Sequence, residues 1–243
     1  MARYLARYFM AAVILVLCSP GLAAAAEDVL LFDDFDKPLD PATWALPEKP
    51  PWCENSTVLV TPNAGFHSRK VFGQPISVAF EGLYMTQSDT PSDNNNIGIT
   101  PGHSENMICF RVAHGKLYAV RRHEGTIYGE PDTISPREWG TFVGNIATRA
   151  KDTRVSKPYD LRIDWWPGQL VRYYVNGKMV AEYFDHVMTT ASPIGVRDEC
   201  AYFRIGSVKV TRPAGSADEI LAQMAKARAA ARRAKEAPIR AEA

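Results

Sequence analysis

The densest alternation of apolar and polar positions runs from Tyr159 to Phe184, YDLRIDWWPGQLVRYYVNGKMVAEYF. Its three strand-length runs are rich in Val, Ile, Tyr and Trp, which favour a pleated, half-buried surface. Asn176-Gly177 tolerates positive φ at both positions and suits a two-residue type I′ hairpin turn. Pro167-Gly168 marks the other turn. A three-stranded meander is expected here, with Arg162, Asp164, Arg172 and Glu182 paired on its solvent face. Trp165 and Trp166 are adjacent, so they point opposite ways and cannot both be buried in one layer.

The same pattern predicts a hairpin over 106–123, NMICFRVAHGKLYAVRRH, turning at His114-Gly115. A two-residue loop sets Ala113 opposite Lys116 and Arg111 opposite Tyr118. Period-two sorting then gathers Ile108, Phe110, Val112, Leu117 and Ala119 on a core face. Cys109, Arg111, Tyr118, Val120 and Arg122 share the other, mixed polar face. Further strands are expected at Val29 to Phe32, Thr57 to Thr61, Ile76 to Met85 (Val78, Phe80 and Leu83 in the core), Ile97 to Thr100, Trp139 to Ile146, Ser192 to Val196 and Ala201 to Val210. Trp44 is expected to cap one end of the core. About ten short strands with close turn signals, and no strong helix between 27 and 213, predict an all-β sandwich or barrel.

The two ends differ from this body. Arg3 and Arg7 precede an apolar run from Phe9 to Leu17, which Pro20-Gly21 breaks before Ala24-Ala25-Ala26. That is the pattern of a secretory signal peptide over 1–26, cut after Ala26. A lipoprotein signal using Cys18 is the alternative, although Leu17 stands where a small residue is expected. No membrane span is expected after signal removal, and the location is secreted or periplasmic. Residues 27–213 then form the β domain, and 214–243 a basic, Ala-rich tail. Ser216 and Glu219 make a capping box for a helix over 217–237, with Ile220, Met224, Ala227 and Ala231 on one face. The tail is either a solvated helix, weakly docked or free, or a basic helix that touches an anionic envelope or a partner.

Without residues 1–26 the chain carries 26 Lys+Arg and 27 Asp+Glu, since those residues hold two arginines and no acid among the totals of 28 and 27. This balance gives no basic field for nucleic acid. Three cysteines remain, Cys53, Cys109 and Cys200; Cys53 with Cys200 is the expected disulfide, leaving Cys109 over. The loop with Asp89, Asp93 and Asn94 offers oxygen ligands for a structural calcium but no EF-hand pattern, and solvation is its default. His67, His114 and His186 are scattered, so no catalytic metal, and no other cofactor, is expected. Asn55-Ser56-Thr57 fits a glycosylation acceptor, with no reason to assume a host that would use it.

The opening LLFDDFDKPLDPATW, the hairpin VRYYVNGKMVAEY and the close YFRIGSVKVTR, in that order, resemble laminarinase-like domains of the concanavalin A-like lectin/glucanase superfamily. The resemblance spans about residues 29 to 212. It implies a jelly roll of two antiparallel sheets with a groove on the concave face, a last strand paired beside the first, and members that bind or cleave polysaccharides. The Glu-x-Asp-x-x-Glu of the laminarinase-type hydrolases is missing. In those hydrolases the three carboxylates share one strand face, with nucleophile and acid about 5 Å apart. Glu124 and Glu130 are six apart, and Asp198-Glu199 point to opposite faces, so no catalytic residue carries over.

The best remaining constellation is Arg111, Tyr118 and Arg122. If that face lines the groove, two guanidiniums can clamp a uronate or sulfate. Tyr118 can then serve as base and acid of a β-elimination, with His103 or His123 assisting. An ordinary sheet face with arginines paired to acids is the plain alternative. Trp52, Tyr128, Trp139 and Trp166 can stack on sugar rings, or serve the core. Three functions follow: a carbohydrate-binding sandwich that holds a polysaccharide in its groove, a polysaccharide lyase or hydrolase with its own catalytic set, or an envelope interaction domain.

Overall fold

The computed structural model describes residues 28–61, 64–87, 95–99, 106–113, 116–123, 126–129, 133–134, 141–145, 158–184, 191–197, 202–223, 225–226 and 229. Its strands are β1 (Val29–Asp33), β2 (Trp44–Ala45), β3 (Trp52–Cys53), β4 (Val58–Val60), β5 (Phe66–Phe72), β6 (Ile76–Gln87), β7 (Asn95–Ile99), β8 (Met107–Ala113), β9 (Lys116–His123), β10 (Thr126–Gly129), β11 (Thr133–Ile134), β12 (Thr141–Asn145), β13 (Tyr159–Trp166), β14 (Leu170–Val175), β15 (Lys178–Phe184), β16 (Ser192–Arg197), β17 (Tyr202–Ile205) and β18 (Ser207–Thr211). They form two antiparallel sheets, as the all-β jelly-roll sandwich requires.

The first sheet runs β15-β14-β13-β6, and β6 then takes two partners on its other side. Its first half pairs β18, which pairs β1; its second half pairs β17, followed by β4 and β3. The switch falls at Gly82, whose φ is +64°. A Cβ there would sit 3.6 Å from Gly206 Cα, and the Gly206 amide donates to the Glu81 carbonyl at 2.8 Å. Two glycines let the backbones close where the strand 202–211 breaks in two. The last strand does pair beside the first, Phe32 opposite Lys209.

The second sheet runs β11-β10-β9-β8-β7-β16-β5-β2, with β12 sharing the outer edge of β9. The expected hairpin register is the observed one: Ala113 faces Lys116 and Arg111 faces Tyr118. The meander forms β13, β14 and β15, and Asn176 and Gly177 take φ of 49° and 76°, as a type I′ turn needs. Strand β5 was not anticipated, because its central His67-Ser68-Arg69-Lys70 hides the alternation.

One core fills the space between the sheets, and Val78, Phe80, Leu83, Ile108, Phe110, Val112, Leu117 and Ala119 all belong to it. Trp44 is fully buried at one end, edge-on to Phe66 at 5.0 Å, with its Nε1 donating to Asp33 at 2.7 Å. Two tyrosines of the first sheet cross to β9. Tyr173 donates to the Val120 carbonyl at 2.6 Å, and Tyr183 lies 3.3 Å from the Ala119 carbonyl and 2.6 Å from Thr141 Oγ1. They arrive where the neighbour of β9 changes from β12 to β10.

Trp165 and Trp166 are both buried, in different layers: Trp165 in the main core, Trp166 outside it against Leu170, Ala217 and Ile220. The cover over Trp166 is the C-terminal helix, described over 217–223, 225–226 and 229. Its capping box forms as expected: the Ser216 amide donates to Glu219 at 3.1 Å and the Glu219 amide to Ser216 Oγ at 3.2 Å. The Ser216 amide holds the Glu219 carboxyl below its usual range. The first turns of the tail are therefore docked through Ala217 and Ile220, the docked form of the expected helix. Among the described residues no helix is long and apolar enough to cross a membrane.

Candidate functional site: the outer face of the second sheet

Alternation puts Asn96, Cys109, Arg111, Lys116, Tyr118, Val120 and Arg122 on the outer face of β7, β8 and β9, because Ile97, Ile108, Phe110, Leu117 and Ala119 face the core. Across the strands they make one row: Arg197 on β16, Asn96, Arg111, Tyr118, then Phe142 on β12. At about 4.8 Å per strand the row spans about 19 Å. Its ends, Arg197 and Phe142, are exposed, while Asn96, Arg111 and Tyr118 in the middle are buried.

The middle is held by its own chemistry. Arg111 donates from Nε to Asn96 Oδ1 at 3.1 Å, and its Nη2 lies 3.6 Å from the Met107 sulfur. The Cys109 thiol reaches the same Asn96 oxygen at 3.5 Å. Tyr118 meets Phe142 edge-on, centroids 5.9 Å apart. Burial pushes the Cys109 thiol up to about 12, against the pull of Arg111 and Arg122. Cys109 is thus a protonated structural thiol, not a nucleophile.

The electrostatics separate the sheets. Strands of the second sheet carry seven Lys/Arg (Arg69, Lys70, Arg111, Lys116, Arg121, Arg122, Arg197) and no Asp or Glu. Strands of the first carry five acids (Asp33, Glu81, Asp160, Asp164, Glu182) and five bases (Arg162, Arg172, Lys178, Arg204, Lys209). There the charges pair, as expected for the meander. Arg172 meets Glu182 at 2.6 Å; Arg162 lies 3.2 Å from Asp164 and stacks 3.8 Å over the Tyr174 ring. Burial raises the Asp164 pKa, although Ser77, Arg162, Tyr174 and Arg172 all favour its carboxylate. In a near-neutral chain, the strands of one sheet thus carry bases alone, on β5, β8, β9 and β16.

Arg111, Tyr118 and Arg122 therefore share one face, as the pairing predicts, with Arg111 and Tyr118 as its floor and Arg122 half-buried. No carboxylate stands on the strands of that sheet, so nothing on them can act as the acid pair of a retaining glycosidase. Trp166 is elsewhere: at 2% exposure beneath the helix it has no ring face to offer a sugar, and its Nε1 has no hydrogen-bond partner among the described residues. A pocket of about 350 Å³ opens beside it, lined by Pro75, Gln169, Arg212 and Ser216 among others. Cys53 is half-buried and carries a free thiol; Cys200, its expected partner, lies outside the described residues. Also outside them are Trp139, His103, His114, His186, the Asp89 to Asn94 loop, Glu124, Glu130, Asp198-Glu199 and residues 1–26, as are the side chains of His123 and Tyr128. Among the described residues no three His, Cys, Asp or Glu gather where a metal would bind. Sequence reasoning missed Arg197, Asn96 and Phe142, which join the row through strands remote in the chain.

No family model matches the sequence, and no curated protein does. Solved structures do match. β-agarase A in complex with oligoagarose superposes with a TM-score of 0.57 at 12% identity, over 76% of this chain and 91% of that one. An inactivated mutant of β-agarase B in complex with agaro-octaose gives 0.53 at 8% identity, over 78% and 95%. A structure reported for endo-acting O-glycanases, which prominent members of the human gut microbiota express to initiate mucin breakdown, gives 0.53 at 14%, over 76% and all of that chain. At these identities the likeness is one of fold. The chain has the concanavalin A-like lectin/glucanase fold, which glycanases share.

Proposed function

We propose that the protein is an exported carbohydrate-binding β-sandwich that holds an anionic polysaccharide, uronate-bearing or sulfated, across the outer face of its second sheet. The observation that carries this is the charge sorting: the strands of that sheet carry seven Lys/Arg and no acid, and four of the seven, Arg111, Lys116, Arg122 and Arg197, share its outer face while Arg121 stacks inward on Tyr183. Guanidiniums take carboxylate and sulfate oxygens in pairs of parallel hydrogen bonds. On that face Lys116 and Arg197 are exposed and Arg122 is half-buried, with Asn96, Arg111 and Tyr118 buried between the strands that carry them. The fold neighbours solved with oligoagarose and agaro-octaose support a saccharide as the ligand class. The strands of that face offer no acid pair for retaining hydrolysis, which favours binding.

Affinity electrophoresis through polygalacturonate, alginate and chondroitin sulfate tests this. Retardation by at least one, weakened by salt and reduced about tenfold or more in Arg122→Gln, is expected, because a charge-assisted hydrogen bond is worth about 1.5–3 kcal/mol. Migration unaffected by all three polymers, or equal in wild type and Arg122→Gln, would overturn the assignment.

A further inference from the structure

We infer that a second glycan-binding surface lies on the first sheet, built on Trp52 and selective for uncharged polysaccharide. Trp52 is 68% exposed, the most of any large apolar side chain among the described residues. It stands at the end of a straight outer-face row, Trp52–Leu59–Arg204–Tyr84, on β3, β4, β17 and β6. Three strand spacings put Trp52 about 14 Å from Tyr84.

The row is rigid. Pro51 is buried and Cys53 packs on the core, so alternation fixes Trp52 outward. The β3–β4 turn is tight, Asn55 and Ser56 both at positive φ, closed by Glu54 N to Thr57 O at 2.9 Å and Thr57 N to Glu54 O at 3.1 Å. Arg204 is tied to the same turn, its Nη1 donating to Thr57 Oγ1 at 3.3 Å and its Nη2 4.0 Å from Glu54. An indole face with a guanidinium two strands along the same row and a carboxylate two residues on suits a pyranose, which offers an apolar ring face and a rim of hydroxyls. Because Arg204 and Glu54 balance, the surface complements a neutral chain, not an anionic one.

Other occupants fit worse. β3 is two residues long and follows Pro50-Pro51, which blunts it as an edge for strand addition by a second copy. A lone indole that shares its sheet face with Glu54 and Arg204 is a poor membrane anchor. The inference rests on the reading of the chain as a glycan-binding protein, but not on the site assigned to the second sheet.

Sedimentation with beaded agarose, curdlan and cellulose in 1 M NaCl tests it, since high salt suppresses charge-driven binding and leaves stacking in place. Wild type should sediment with at least one, Trp52→Ala should bind about tenfold or more weakly, and Trp52→Phe should fall between. Melting of Trp52→Ala at the wild-type temperature serves as the fold control. Equal sedimentation of Trp52→Ala and wild type, or no sedimentation of wild type with any of the three, overturns the surface. Loss in Arg122→Gln but not in Trp52→Ala overturns it too, while leaving the second-sheet site standing. Loss of polygalacturonate binding alone would strike that site and not this one.

Discussion

Tyr173→Phe is the sharpest probe of what holds the candidate site in place. Tyr173 is fully buried, and its hydroxyl donates to the Val120 carbonyl at 2.6 Å. Val120 sits on β9 between Tyr118 and Arg122. The substitution keeps the ring, so the edge-on contacts with Phe110 at 5.3 Å and Tyr183 at 5.6 Å persist. What goes is the donor to a carbonyl shut off from water. Leaving a buried acceptor without its donor costs about 1–3 kcal/mol. For a domain of about 190 residues each kcal/mol moves the midpoint by about 2–4 °C, so Tm should fall by about 2–12 °C. Tyr183→Phe should cost less, because its hydroxyl's shorter partner, Thr141 Oγ1, is only half-buried and can turn to water. Differential scanning calorimetry on wild type, both single variants and the double variant reads these values and their coupling. A Tyr173→Phe midpoint within a degree of wild type would refute the idea that this hydroxyl pins β9.

Three further outcomes follow from the same geometry. Deleting residues 216–243 uncovers Trp166 and Leu170 and removes Ala217 and Ile220, each buried apolar side chain being worth about 1.5–3 kcal/mol when fully covered; the melt should stay cooperative at a lower temperature, and an unchanged midpoint would show that the helix does not dock in solution. Asp164 has a raised pKa, so the folded state holds its proton more tightly than the unfolded one, and its contribution to stability is present at low pH and lost as pH rises through the raised value. Asp164→Asn keeps the acceptor for Ser77, so the Tm of the variant minus that of wild type should grow between about pH 4 and pH 7; a shrinking difference would reverse the sign argued here. Cys109, pushed up to about 12 and fully buried, should resist Ellman's reagent at pH 8 until the protein is unfolded. In a Cys200→Ser chain without residues 1–26, native labelling should therefore stop at Cys53, and a second native thiol would contradict the burial.

Much of the fold could be read from short-range pattern. Asn176-Gly177 and the alternation on either side of His114-Gly115 set local registers, and a register off by one residue would have turned Phe110 and Leu117 out of the core. Strand β5 was hidden because a strand facing solvent through His67, Arg69 and Val71 shows few apolar positions. The sorting of charge was hidden for another reason. Arg69, Arg111, Arg122 and Arg197 are spread across the chain, and only strand order brings them onto one sheet. Net charge, balanced over the whole sequence, cannot carry that information. Trp166 failed as a sugar platform because a segment fifty residues later covers it, a contact no local pattern announces. The Arg111–Tyr118 pairing was legible because both residues belong to one hairpin; Asn96, Arg197 and Phe142 were not, because each reaches the row from another strand.

Hydrogen–deuterium exchange of the full chain with and without a saturating oligogalacturonate tests the central claim most directly. Added protection should appear on peptides covering β7, β8, β9 and β16, the strands that carry Asn96, Arg111, Tyr118, Arg122 and Arg197. Peptides covering β13, β14 and β15 should exchange as before. Protection centred on those three strands, or none anywhere, would contradict the claim that the acid-free sheet is where the glycan lies.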